Sequence, residues 1–154
     1  MPKYVLNTAG RLVGGISMAT LGYTTLSVYI NGGGTVAGGI PEFAKWVAAA
    51  CFFLAGWNYL GTHVGYGGRK SIIEGIKGTF VGLVIASMVL AVLLMGRAFI
   101  LGQYFDPYKA VFDWVRQIFD LVVVALTTPA TLGVLVIGGA VVGLITGFAN
   151  ARWR

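Results

Sequence analysis

Charge is scarce in this chain. Of its 154 residues only 10% are charged, where an ordinary soluble domain carries roughly 25%. Cysteine is nearly absent. The single Cys51 lies inside an apolar run, which excludes a disulfide framework, a CxxC pair and a thiolate metal site. One histidine, His63, and five scattered carboxylates supply no GxSxG, no HExxH and no nucleophile, base and acid set, so no hydrolytic site can be read. The glycine clusters Gly32–Gly34 and Gly38–Gly39 lack the GK[ST] ending of a phosphate loop. No enzyme, cofactor or metal is expected from this inventory.

What the chain does have is apolar length. Hydrophobic residues make up 57% of it, interleaved with 24 glycines, and the mean hydropathy is +0.83. No polar tract is long enough to stay disordered in water. The expectation is a single all-α transmembrane domain over residues 1–154, a polytopic bundle of four spanning helices with one interfacial amphipathic helix.

The first run, residues 12–30, is long enough to cross a hydrocarbon core about 30 Å thick. Thr35-Val36-Ala37 resembles a small-residue cleavage site, but the run is read as retained. A Gly-rich link, Asn31 to Ile40, belongs at the surface, because its backbone would be unsatisfied in lipid. Pro41 and Glu42 suit a first helical turn, and the second span covers 46–65. Trp46, Trp57, Tyr59 and Tyr66 are the candidate interfacial aromatics.

Gly67 to Lys77 reads as a short basic turn that makes an antiparallel hairpin of the second span and a third at 79–100. Arg97, near the end of that third span, can extend its stem to the headgroups. Asp106-Pro107 then reads as an N-cap and first-turn proline opening an amphipathic helix over 107–120. Val111, Phe112, Val115, Ile118, Phe119 and Val122 share one face, while Lys109, Asp113, Arg116 and Asp120 can pair on another. Such a helix lies in the interface plane or against a partner. The fourth span, 121–148, contains Thr127-Thr128-Pro129, which predicts a bend near Val124 to Pro129 with threonine hydroxyls satisfying freed carbonyls.

Charge placement orients this bundle. With four spans, Lys3, Arg11, Arg69, Lys70, Lys77, Arg152 and Arg154 collect on one side, with Glu74 as its one acid. Lys45, Arg97, Lys109 and Arg116 fall on the other with four acids, so all of the net charge of +6 lies on the first side. The positive-inside rule then puts both termini in the cytoplasm. The basic balance thereby has a membrane explanation, and no nucleic-acid partner is expected.

Small residues four apart share a helix face and let backbones approach closely where no hydrophobic effect drives helices together. Gly139, Gly143 and Gly147 form a double GxxxG. Gly78, Gly82 and Ala86 repeat it, and Gly15 with Ala19 gives a shorter version. These residues are candidates for packing within the chain or between subunits. His63 reads as structural, and Asn58 as a hydrogen bond across the bundle ahead of a place lining a polar path.

Four spans at this length resemble the small multidrug exporters, but no acid lies between Leu12 and Ile30 to match the carboxylate those exporters carry in their first helix. Trp46 to Gly96, two apolar runs across a short basic loop, resembles the pilins of conjugative secretion systems over about a third of the chain, as a topological analogy without a motif. The readings that survive are a structural subunit of a larger membrane complex or virion, a small homo-oligomeric pore or holin-like protein, and a polymerising pilin-like subunit. Each has the lipid bilayer, other membrane subunits or copies of itself as partners.

Overall fold

The computed structural model describes residues 8–31, 40–63, 68–102 and 107–152, and no strand occurs among them. Helix α1 is Thr8–Asn31 and α2 is Ala44–Ala55. The latter runs on through a π-helical turn, Gly56–Leu60, to a last α turn, Gly61–His63. Then come α3, Gly68–Ile100, α4, Pro107–Thr127, and α5, Pro129–Arg152.

Helices α1, α2, α3 and α5 close into a ring in which each packs on two neighbours, α1 on α2, α2 on α3, α3 on α5 and α5 on α1. Neighbouring members run antiparallel. A Cβ on Gly10 near the start of α1 would meet Asn150 near the end of α5. One on Gly61, beyond the π turn, would meet Arg11. Thr8 and Arg152 therefore sit at the same end of the bundle.

Among the described residues two helices, α3 and α5, are long and apolar enough to cross a membrane. The first apolar run is diluted by Ser17, Thr20, Thr24, Thr25 and Ser27. The second is only 12 residues of regular helix before the π turn. A π turn admits one extra residue and rotates the helix beyond it. Here Leu60 turns fully inward against Gly78, whose added Cβ would lie 2.5 Å from it.

Several boundaries differ from the sequence reading. Gly67 to Lys77 is not a turn: from Gly68 it is the charged opening of α3, where Lys77 pairs with Glu74 at 2.9 Å three residues earlier. Pro41 and Glu42 stand before α2 rather than inside it, and the amide of Ala44 donates to the Pro41 carbonyl at 2.9 Å. The amphipathic helix does not stop at Asp120 but runs to Thr127, because proline rather than the change in polarity sets the break. The predicted bend is present at Thr128. Main-chain bonds from Thr128 to Val124 and from Leu132 to Thr128, both 3.0 Å, bracket it, so α4 and α5 form one kinked column. Pro129 has no amide to offer the Ala125 carbonyl. The threonine hydroxyls bond elsewhere, Thr127 to Val123 at 2.9 Å and Thr128 to Val124 at 2.8 Å. The Gly-rich link, the proposed cleavage site, Tyr66 and the Asp106 cap lie outside the described residues.

Large apolar side chains cover the outside of the bundle as well as filling its core. Thr79, Thr131 and Thr146 are fully buried and Thr25, Ser71 and Ser87 nearly so, while Phe80, Val84, Val92, Ile137, Val141 and Phe148 face outward. Three of these hydroxyls bond back along their own helices, Thr79 to Ile76 at 2.6 Å, Ser87 to Leu83 at 2.8 Å and Thr146 to Val142 at 2.8 Å.

Candidate functional site

The glycine stripes meet where α3 crosses α5. A Cβ on Gly75 would strike the Gly139 carbonyl, and one on Gly143 would strike that of Ser71. A Cβ on Gly139 would come within 2.8 Å of the Thr79 hydroxyl. Both Gly139 and Gly143 are buried inside the chain, so they offer no face to a second subunit, and Gly147 is half-buried beside them. Gly78 and Gly82 take the side chains of Leu60 and Phe52, and Gly15 takes the ring of Phe53 at 2.8 Å. Ala86 is buried and Ala19 half-buried. Gly14, Gly22 and Gly75, which the four-residue spacing did not single out, serve the same packing.

The polar candidates are dispersed. Asn58 does not bond across the bundle: it is exposed and donates to the Leu54 carbonyl of its own helix at 3.0 Å, because the π turn carries it outward. His63 is exposed, stacked on Tyr59 with ring centroids 4.6 Å apart, and its Nδ1 lies 2.8 Å from the Thr62 hydroxyl. No group of three or more metal-ligating side chains occurs among the described residues.

Two surfaces carry the charge. At the end that holds Thr8 and Arg152 stand Arg11, Arg69, Lys70, Lys77 and Arg152, with Glu74 as the acid among them. Glu74 accepts from Lys77 at 2.9 Å and from the Tyr59 hydroxyl at 3.1 Å. Hydrogen bonding from Lys77 first, and from Tyr59, holds its carboxyl below the ordinary glutamate range. The bond to Glu74 in turn raises Lys77. At the opposite end Lys45 pairs with Glu42 at 3.2 Å, and Arg116 stands 4.0 Å from Asp120.

Helix α4 has three faces rather than the two expected. Ala110, Leu121 and Ala125 are buried and Trp114 packs on the core. A second face carries Lys109, Asp113, Arg116 and Asp120. The third, Val111, Phe112, Val115 and Phe119, is the predicted apolar face, and it points away from the bundle, with Phe112 74% and Phe119 64% exposed. Of the predicted face only Ile118 reaches the core.

One cavity, of about 40 Å³, lies beside the kink, between α1, α2, α3, the end of α4 and the start of α5. Thr25, Thr131, Ala125 and Ser87 line it, with Phe52, Leu90 and Leu121 among its apolar walls. Its walls are mostly apolar, and periodicity alone could not reveal it, because its residues come from every helix.

Comparison with protein-family models, curated proteins and solved structures found no match.

Proposed function

We propose that the chain is a non-catalytic integral membrane subunit with a structural or assembly role in a larger membrane complex or virion. Its columns α1, α2, α3 and kinked α4–α5 would each cross the bilayer, with both termini in the cytoplasm. The observation that carries this reading is the apolar exterior: large aliphatic and aromatic side chains such as Phe80, Val84, Val92, Ile137 and Phe148 face outward, while hydroxyls and glycines sit among the apolar residues inside. In water such an exterior would be an aggregation hazard, whereas lipid solvates it. The clustering of Arg11, Arg69, Lys70, Lys77 and Arg152 at one end supports the orientation. The other two columns, α1 and α2, would enter lipid because α3 and α5 cover part of their surface and the Ser17, Thr20, Thr24 and Ser27 hydroxyls of α1 bond back to their own backbone.

The exposed apolar face of α4, flanked by a charged face, is the surface through which such a subunit would seat itself among others. The pore reading would require several copies, because Met18, Phe52 and Leu60 fill the bundle axis with no measurable exposure beyond 2%. Extraction in mild detergent is the test. The proposal expects other membrane proteins to co-purify in fixed ratio, with Phe112→Asp or Phe119→Asp reducing their recovery. A clean, monodisperse homo-oligomer or monomer that carries nothing with it would contradict the proposal.

A further inference from the structure

Two hydroxyls stand out from the others in the bundle interior. The Thr25 and Thr131 side chains are 5% and 0% exposed, and neither Oγ1 has a hydrogen-bond partner among the described residues. Other buried hydroxyls, at Thr79, Ser87 and Thr146, each reach a carbonyl of their own helix. A buried polar group without a partner is costly, and native interiors rarely leave one so.

Both threonines line the same cavity, although one comes from α1 and the other from the first turns of α5. Ala125, whose carbonyl lost its main-chain donor to Pro129, lines it as well. At about 40 Å³ the cavity exceeds the roughly 10–15 Å³ that one water needs. It falls well short of the roughly 150 Å³ at which an apolar cavity takes a benzene-sized molecule. Its size suits two or three waters, and its polar atoms are of the kind that waters satisfy beside a proline kink.

We propose that this cavity is a bound-water site, in which a small shared cluster of waters bridges the hydroxyls of Thr25 on α1 and Thr131 on α5. Each water donates to one oxygen and accepts from another, so the cluster ties the first column to the last at the level of the kink. It thus adds to the direct packing of α1 on α5 at the level where α1 and α4 hardly touch one another. The site takes water rather than an acyl chain, because a hydrocarbon occupant would leave both hydroxyls unpartnered.

The sign of a nearly isosteric substitution tests this. Thr25→Val and Thr131→Val, each in the full chain in lipid nanodiscs, remove one hydroxyl while keeping its shape. With bridging water each variant unfolds a few degrees lower, and the double variant loses less than the two single losses summed, since both act on one cluster. Thr24→Val, whose hydroxyl already bonds to Thr20 at 3.0 Å on the exposed face, should leave the midpoint unchanged and serves as the control. Unchanged or raised midpoints for Thr25→Val and Thr131→Val would show a dry or hydrocarbon-filled cavity and overturn the proposal, as would strictly additive losses. If the variants do not fold, the unsubstituted chain decides: cross-relaxation between water and the Thr25 and Thr131 methyl groups is expected, and its absence overturns the proposal equally.

Discussion

Gly143 and Gly75 show what a missing side chain contributes. Each faces the backbone of the opposing helix so closely that a single carbon would meet a carbonyl oxygen, and backbone cannot swing aside as the end of a flexible side chain can. Gly143→Ala should therefore destabilise the bundle by about 1–3 kcal/mol, the range typical of overpacking. Gly133, with open space around its Cα, is the contrast: Gly133→Ala should stabilise its helix by up to about 1 kcal/mol. Thermal unfolding in detergent compares them, and equal effects would contradict the account of the α3–α5 contact. The spacing of Gly139 and Gly143 was legible in the sequence. Their burial inside one chain was not, because a small-residue stripe looks the same whether its partner is α3 or another subunit.

Glu74 gives a pH signature at the same scale. Its carboxyl is held below the ordinary glutamate range, chiefly by Lys77 and then by Tyr59, so the stability it confers is complete above the unfolded-state value. That stability is lost as the pH falls through the folded-state value. The unfolding midpoint should drop on acidification, and Glu74→Gln should flatten this part of the profile. The effect is modest because the Glu74–Lys77 pair is partly exposed to solvent.

Among the elements, the kinked column of α4 and α5 is the most informative. Its bend was legible from Thr127-Thr128-Pro129, since a proline within a helical run removes an identifiable bond. The pairing of the threonine hydroxyls was not, because several carbonyls lie within reach of a rotating side chain. Pro129→Ala would return an amide to the Ala125 carbonyl. The column should straighten, and the distance between spin labels placed at Arg116 and Phe148 should lengthen. An unchanged distance would mean that packing against α3, rather than the proline, sets the bend. The π turn of α2 had no signal in composition. The basic opening of α3 reads as a turn in the sequence because exposed charges on a helix resemble those of a loop until their three-residue pairing is seen.

For the whole molecule, the apolar runs announced helices and the charge pattern announced which ends belong together. The meeting of Gly10 with Asn150 places Thr8 and Arg152 at one end accordingly. The closure of the ring, α1 against α5, lay beyond the reach of periodicity because it joins segments more than a hundred residues apart. The central claim is that this bundle, apolar on its outside, crosses a bilayer four times with both ends on one side. Its most direct test replaces Cys51 by serine and introduces single cysteines at Arg69, Arg152, Glu42 and Gly102, and at Phe80 and Ile137 on the apolar exterior. Each is then labelled with a membrane-impermeant maleimide in sealed vesicles of known orientation. The account predicts that positions 69 and 152 react from the cytoplasmic side, 42 and 102 from the opposite side, and 80 and 137 from neither. Reaction of 69 and 152 from opposite sides, or ready labelling at 80 and 137, would contradict it.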